Sequence, residues 1–185
     1  MSLNLSYQIT KKAVQPEWLP IADAKDQIRV RHSYEDNYIG DCITAAVDEA
    51  ESYLGSFLDH RDVVIMMNDF PRDLVVEYGP VLGGDFSVSY YSNDMELMLE
   101  DAYVIVQNYG EKPKFSLNPM ISLPRIDLRI DAVKFTYVAG ADEIEPSVKK
   151  ALQLIVAEMY EFRTDRNEIM STRAKALMRG HKVWD

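Results

Sequence analysis

The sequence contains a single cysteine, Cys42. One thiol cannot build an internal disulfide framework, and this usage suits a reducing compartment. No apolar run reaches the ~20 residues that a membrane-spanning helix requires. Met1 to Lys12 lack the apolar centre of a secretory signal, so none is expected. Basic charge is also in deficit. With 20 Lys and Arg against 30 Asp and Glu, the net charge is −10. That argues against general duplex binding through a basic face, because phosphate contacts supply most of that affinity. His32, His60 and His181 lie far apart, with no partner at a metal-ligand spacing, and read as surface residues. There is no dinucleotide fingerprint, no phosphate loop and no nucleophile elbow.

A full-sized core is available. The 185 residues suit one domain, or one plus an extension. The 47% apolar and 27% charged shares are those of a folded soluble domain rather than a disordered chain. Charge is unevenly spread. From Arg163 onward there are six basic residues (Arg163, Arg166, Arg173, Lys175, Arg179, Lys182) and three acidic ones. The tail is therefore +3, and residues 1–162 carry −13. Such a tail either meets something negative, for example a neighbouring copy, or is a solvated helix of mixed charge.

Residues 1–19 read as an extended arm, with Pro16 and Pro20 forbidding regular helix around Trp18. A short helix is expected over 22–30, with Ala24 and Ile28 inward. A long one is expected over 35–58. There Ile39, Cys42, Ile43, Ala46, Val47, Ala50, Tyr53, Leu54 and Phe57 recur at helical spacing. On that stripe Cys42 is a buried structural thiol, since nothing beside it would stabilise a thiolate. Residues 62–138 read as short strands (62–68, 74–78, 86–90, 95–99, 103–106, 114–117 and 132–138). Gly83-Gly84 mark a break, and Ser92-Asn93-Asp94 a tight turn, since Asn and Asp tolerate left-handed backbone. Helix resumes over 147–162, with Pro146 at its start, and again over 168–178 before Gly180. Grouped strands between helices make an α+β fold. The expectation is a core of about four helices with a small antiparallel β block inserted between the second and third.

No catalytic apparatus is visible. Asp23, Asp26, Glu35 and Asp36 are the early acidic residues, and read as helix starts and solvated faces. An alternative reading, a metal-dependent nucleic-acid-processing or packaging accessory enzyme, would need such carboxylates to cluster around a divalent ion. Tyr90, Tyr91, Tyr103 and Tyr109 crowd the β block. They are either interface residues or core of a small sheet, since tyrosine serves both. The residues alone point to a soluble intracellular binding or assembly protein, with no cofactor and no metal.

Several segments, in order, resemble the head–tail connector (adaptor, head-completion) proteins of tailed bacteriophages, often described as putative DNA-packaging proteins. Pro20-Ile21-Ala22-Asp23-Ala24-Lys25-Asp26-Gln27-Ile28-Arg29-Val30 is similar to the family's opening helix. Asp36-Asn37-Tyr38-Ile39 resembles the acidic start of its second helix, and Ala50-Glu51-Ser52-Tyr53-Leu54-Gly55 the end of it, without the usual threonine-glycine. Asn68-Asp69-Phe70-Pro71, Thr136-Tyr137-Val138-Ala139-Gly140 and Pro146 through Met159-Tyr160-Glu161-Phe162-Arg163 continue the series. The likeness spans about 20–163. It implies a structural protein of a phage or prophage neck, made in the bacterial cytoplasm and located at the head–tail interface. It implies a homo-oligomeric ring of roughly a dozen copies with heterologous interfaces. The ring would dock under the portal protein after packaging and extend the DNA tunnel toward a tail-side stopper or tail-completion protein. DNA would pass through without sequence-specific binding, an acidic wall keeping it mobile. No membrane contact is implied. On this reading residues 1–19 are an N-terminal arm and 20–163 the connector domain. Residues 164–185 are a basic tail for portal or neighbour docking, through Arg163, Arg166, Arg173, Lys175, Arg179, Lys182, Val183 and Trp184. Tyr90, Tyr91, Tyr103 and Tyr109 are a ring or neck interface.

Overall fold

The computed structural model describes residues 4–13, 16–107, 114–163 and 170–183. Among the described residues the fold is α+β, with four α-helices and two antiparallel sheets. The chain forms two compact units from interleaved segments. One takes residues 1–15 and 59–142, the other 16–58 and 143–185.

The described residues of the first unit form β-strands and one short 3-10 turn. Its larger sheet has the order β1-β2-β8-β4-β5, with β1 Leu5–Lys11, β2 Arg61–Met67, β4 Val81–Ser92, β5 Met95–Met98 and β8 Val133–Ala139. The second sheet is β3 (Asp73–Val75), β7 (Lys114–Leu117) and β6 (Val104–Gln107) in that order. The period-two alternation decides which faces meet. Val63, Ile65 and Met67 on β2, and Val133, Phe135, Tyr137 and Ala139 on β8, are all buried. Phe115 of β7 crosses from the second sheet, with its ring 4.2 Å from Phe135 and 5.5 Å from Phe86. A cavity of about 20 Å³ remains between the sheets, lined by Met67, Leu74, Val88, Phe115 and Phe135 among others.

This corrects the expectation of a small β block between the second and third helices. The sheets are larger, and β1, from ahead of the first helix, pairs along its whole length with β2. Gly83-Gly84 do not break the chain but lie within β4, where its register against β8 shifts between Val81 and Phe86. A glycine there admits such an irregularity. The turn over 92–95 is as expected. Asn93 and Asp94 both have positive φ, 52° and 59°, the backbone that a two-residue hairpin of matching twist demands.

The second unit is helical: α1 Ile21–Ile28, α2 Asp36–Leu54, α3 Pro146–Glu161 and α4 Thr172–Met178. Ile39, Cys42, Ala46, Val47, Ala50 and Leu54 of α2 form the buried stripe its spacing requires. They share a core with Val148, Ala151, Leu152, Ile155 and Val156 of α3. The long helix stops at Leu54, four residues short of expectation, because Gly55 takes a left-handed φ of 70° and its N–H closes on the Glu51 carbonyl. The buried Glu51 carboxylate then accepts the Leu58 N–H at 2.8 Å, fixing the exit.

Candidate interaction surfaces

The tail residues come first. Met170, Ala174 and Met178 are buried in the helical unit, so the described part of the tail is built into that core. Ser171 caps α4 by accepting the Ala174 N–H, and its own N–H donates to Glu158 of α3. Further on, the Val183 N–H donates to the Leu54 carbonyl, and the Lys182 ammonium lies over the Tyr53 ring at 5.2 Å. Arg173 and Arg179 are exposed, whereas Lys175, Lys182 and Val183 are half-buried. Arg166 and Trp184 lie outside the described residues.

Arg163 belongs elsewhere. Its guanidinium sits 4.6 Å from the centre of the Tyr38 ring and 5.3 Å from that of Tyr160. It donates to Glu35 at 2.5 Å, and Tyr160 donates its hydroxyl to the other oxygen of the same carboxylate. The Tyr160 hydrogen bond, then that of Arg163, holds the Glu35 carboxyl below its ordinary range. Tyr38 meanwhile donates to the Met159 carbonyl. The start of α2 is thus latched to the end of α3. Spacing along the chain could not reveal this latch, because its members are 125 residues apart.

Three of the four early carboxylates are taken up by separate partners. Asp23 pairs with Lys149 and Asp36 with Lys25, each at 2.7 Å, while Glu35 is held in the latch. Among the described residues no group of three or more His, Cys, Asp or Glu is placed to hold a metal ion. No helix among them is long and apolar enough to cross a membrane. Burial pushes the Cys42 thiol up, away from the reactive thiolate form. The histidines, expected at the surface, are half-buried. His32 stacks on Tyr34 at 3.7 Å, His60 bonds the Ala141 carbonyl, and His181 bonds Ser147.

The tyrosines of the β unit divide. Tyr90 packs on Phe70 at 5.9 Å. Tyr103 ends a short 3-10 turn and accepts from Asn118 through its carbonyl. Tyr109 lies outside the described residues. Tyr91 is the centre of a polar network. Its hydroxyl donates to Glu96 and accepts from Lys134, each at 2.9 Å, and Arg129 covers its ring at 3.7 Å. Ser89 also donates to Glu96 at 2.8 Å. These donors, Ser89 first, hold the Glu96 carboxyl low.

Sequence reasoning missed exposed apolar side chains around that network, on both faces of its edge strand. Met95, Leu97 and Met98 are exposed on β5, and Leu128 and Ile130 are exposed on the loop before β8. The Asp127 carboxylate pins this loop to the β4–β5 turn by accepting the Asn93 and Asp94 N–H groups, both at 2.9 Å. The signal was present in Met95-Glu96-Leu97-Met98, a hairpin return with one polar side chain in four.

No family model matches the chain, and no curated protein matches it in sequence. Solved structures match its fold along almost the whole length. A chain in the neck of an empty gene transfer agent particle, computed with C6 symmetry, is similar at a TM-score of 0.74 and 16% identity. One in the virion of a native gene transfer agent particle gives 0.73 and 18%. One in the neck of the native particle, computed with C12 symmetry, gives 0.70 and 16%. Each match covers 96% of this chain and 96% of the other. At such identities the likeness is one of fold.

Proposed function

We propose that this chain is a structural subunit of the neck of a phage or phage-like particle, acting by assembly and not by catalysis. The single observation that carries the reading is the full-length fold match to chains from gene transfer agent necks. Those particles were computed with C6 and C12 symmetry, which supports a ring of copies here too. A closed ring needs two different complementary patches on each subunit. The finer reading is that the ring docks under a portal and continues the DNA tunnel toward the tail. The net charge of −10 supports a passage that repels phosphate and leaves DNA free to slide. Exposed Arg173 and Arg179 are the tail residues best placed to dock on portal or neighbour.

The test is solution mass by light scattering across concentration and salt, with electron microscopy of any large species. Rings with a central channel are expected. A strict twofold dimer overturns the reading, because an isologous pair consumes the patch that a ring must leave open. If the protein is monomeric, the same measurement is repeated with portal rings added, and failure to bind them also overturns it.

A further inference from the structure

Among the described residues the five-stranded sheet ends in two edge strands, β1 and β5, that pair with no further strand. Edges of this kind are usually guarded by charge, proline or a bulge, because their open backbone groups recruit further strands. These two are weakly guarded. Neither strand contains proline. Lys11 on β1 is drawn to Asp59 at 2.6 Å, and Glu96 on β5 is taken up by Ser89, Tyr91 and Lys134.

The register shows what the edges share. Leu5, Tyr7 and Ile9 stand opposite Met67, Ile65 and Val63, on the buried face of the sheet. Leu97 stands opposite Tyr90, which stands opposite buried Val133, so Met95 and Leu97 lie on that same face. The apolar face therefore runs out to both edges, leaving Leu5, Ile9, Met95 and Leu97 exposed. Charge distinguishes the two edges. At the β1 edge Lys11 and Lys12 are balanced by Asp59 and Asp62, whereas residues 94–101 carry Asp94, Glu96, Glu100 and Asp101 and no base. Two β5 edges would therefore repel, whereas a β5 edge meets no such repulsion at a β1 edge.

We infer that the β5 edge of one copy pairs with the β1 edge of the next, joining the sheets of neighbouring copies head to tail. This rests on the neck-ring reading and names its interface. Each junction leaves one free edge at either end, so the arrangement propagates until it closes. In an all-antiparallel sheet of five strands the first and fifth run the same way. A ring operator with a small rotation preserves strand direction, so the junction is a parallel pairing.

Two measurements test this on the full chain. The first uses Gln8→Cys and Met98→Cys, on the opposite face of the two edges, with a bismaleimide of about 10 Å reach, about twice the ~4.8 Å spacing of paired strands. Cys42 is buried and does not compete. A cross-linked dimer is expected at least tenfold more abundantly in the mixture of the two variants than in either alone. Equal adducts in one variant alone indicate like-edge pairing and overturn the inference, as does no adduct in the mixture. The second uses Leu5→Lys with Ile9→Lys, and Met95→Lys with Leu97→Lys, at exposed positions that should spare the fold, checked by thermal melts. Each double variant is expected to be monomeric, and their mixture to stop at a dimer. If both variants still form rings like the parent chain, the edge junction falls while the ring reading stands. If the parent forms no ring and binds no portal, the ring reading itself falls.

Discussion

Changing Gly140 to alanine adds one methyl group and should be severe. Gly140 follows β8 with φ at +141°, a conformation that side-chain-bearing residues rarely adopt. A Cβ there would lie 2.8 Å from Cδ2 of His60, 3.0 Å from the Asp59 carbonyl oxygen and 3.0 Å from Cα of His60. Two of those atoms are backbone. They cannot retreat cheaply, because Arg61 is already in register with Ala139 and the Gly140 N–H is bonded to the Pro80 carbonyl. Backbone strain of this kind costs about 1–3 kcal/mol, and overpacking adds about 1–3 kcal/mol. The stiffer unfolded chain returns about 0.4–1 kcal/mol. The net loss is about 3 kcal/mol, or roughly 6–12 °C in melting temperature for a chain of this length. The control is the same chemical change at Gly40 within α2, where nothing beyond the adjoining residues and the helix's own backbone lies within 4 Å of the added methyl. It should stabilise by about 0.5–1 kcal/mol through helix propensity. Urea unfolding and thermal melts of both variants decide the matter. A Gly140→Ala protein within ~0.5 kcal/mol of the parent, inside the range of an ordinary surface change, would refute the reasoning.

Two further predictions concern the helical unit. Glu35 is held below its ordinary value of 4.5, so its contribution is present above that pH and lost as pH falls through the lowered value. Glu35→Gln should flatten the loss of urea midpoint between pH 5 and pH 3, on the order of the titration range of a carboxylate, and parallel curves would count against the latch. Met178, fully buried, should cost about 2–5 kcal/mol on truncation to alanine. Arg179→Glu beside it should leave the urea midpoint nearly unchanged, because that side chain is exposed. Equal effects of the two would mean that α4 is not part of the core.

The helices were legible because their signal is local. A stripe such as Ile39, Cys42, Ala46, Val47 and Ala50 fits a helical period of 3.6 residues, and all five are buried. The Asn93-Asp94 turn was legible for the same reason, since the residues themselves tolerate the backbone required. The acidic balance, the basic tail and the grouping of strands between helices are also properties of the sequence alone. Other features depend on pairings that no local pattern encodes. β1 joins β2 across some fifty residues, and its own sequence says only that it is extended. The basic tail could not reveal that Met170 and Met178 would be buried, because a short amphipathic stretch does not name the surface it will cover. Glu35, Tyr160 and Arg163 become one latch only once α2 and α3 are packed. The apolar residues of β5 read as an ordinary strand until the sheet order made β5 an edge. Hydrophobic period is written in neighbouring residues, whereas strand order is settled by the collective burial of distant ones. The candidate interface thus belongs to the tertiary structure.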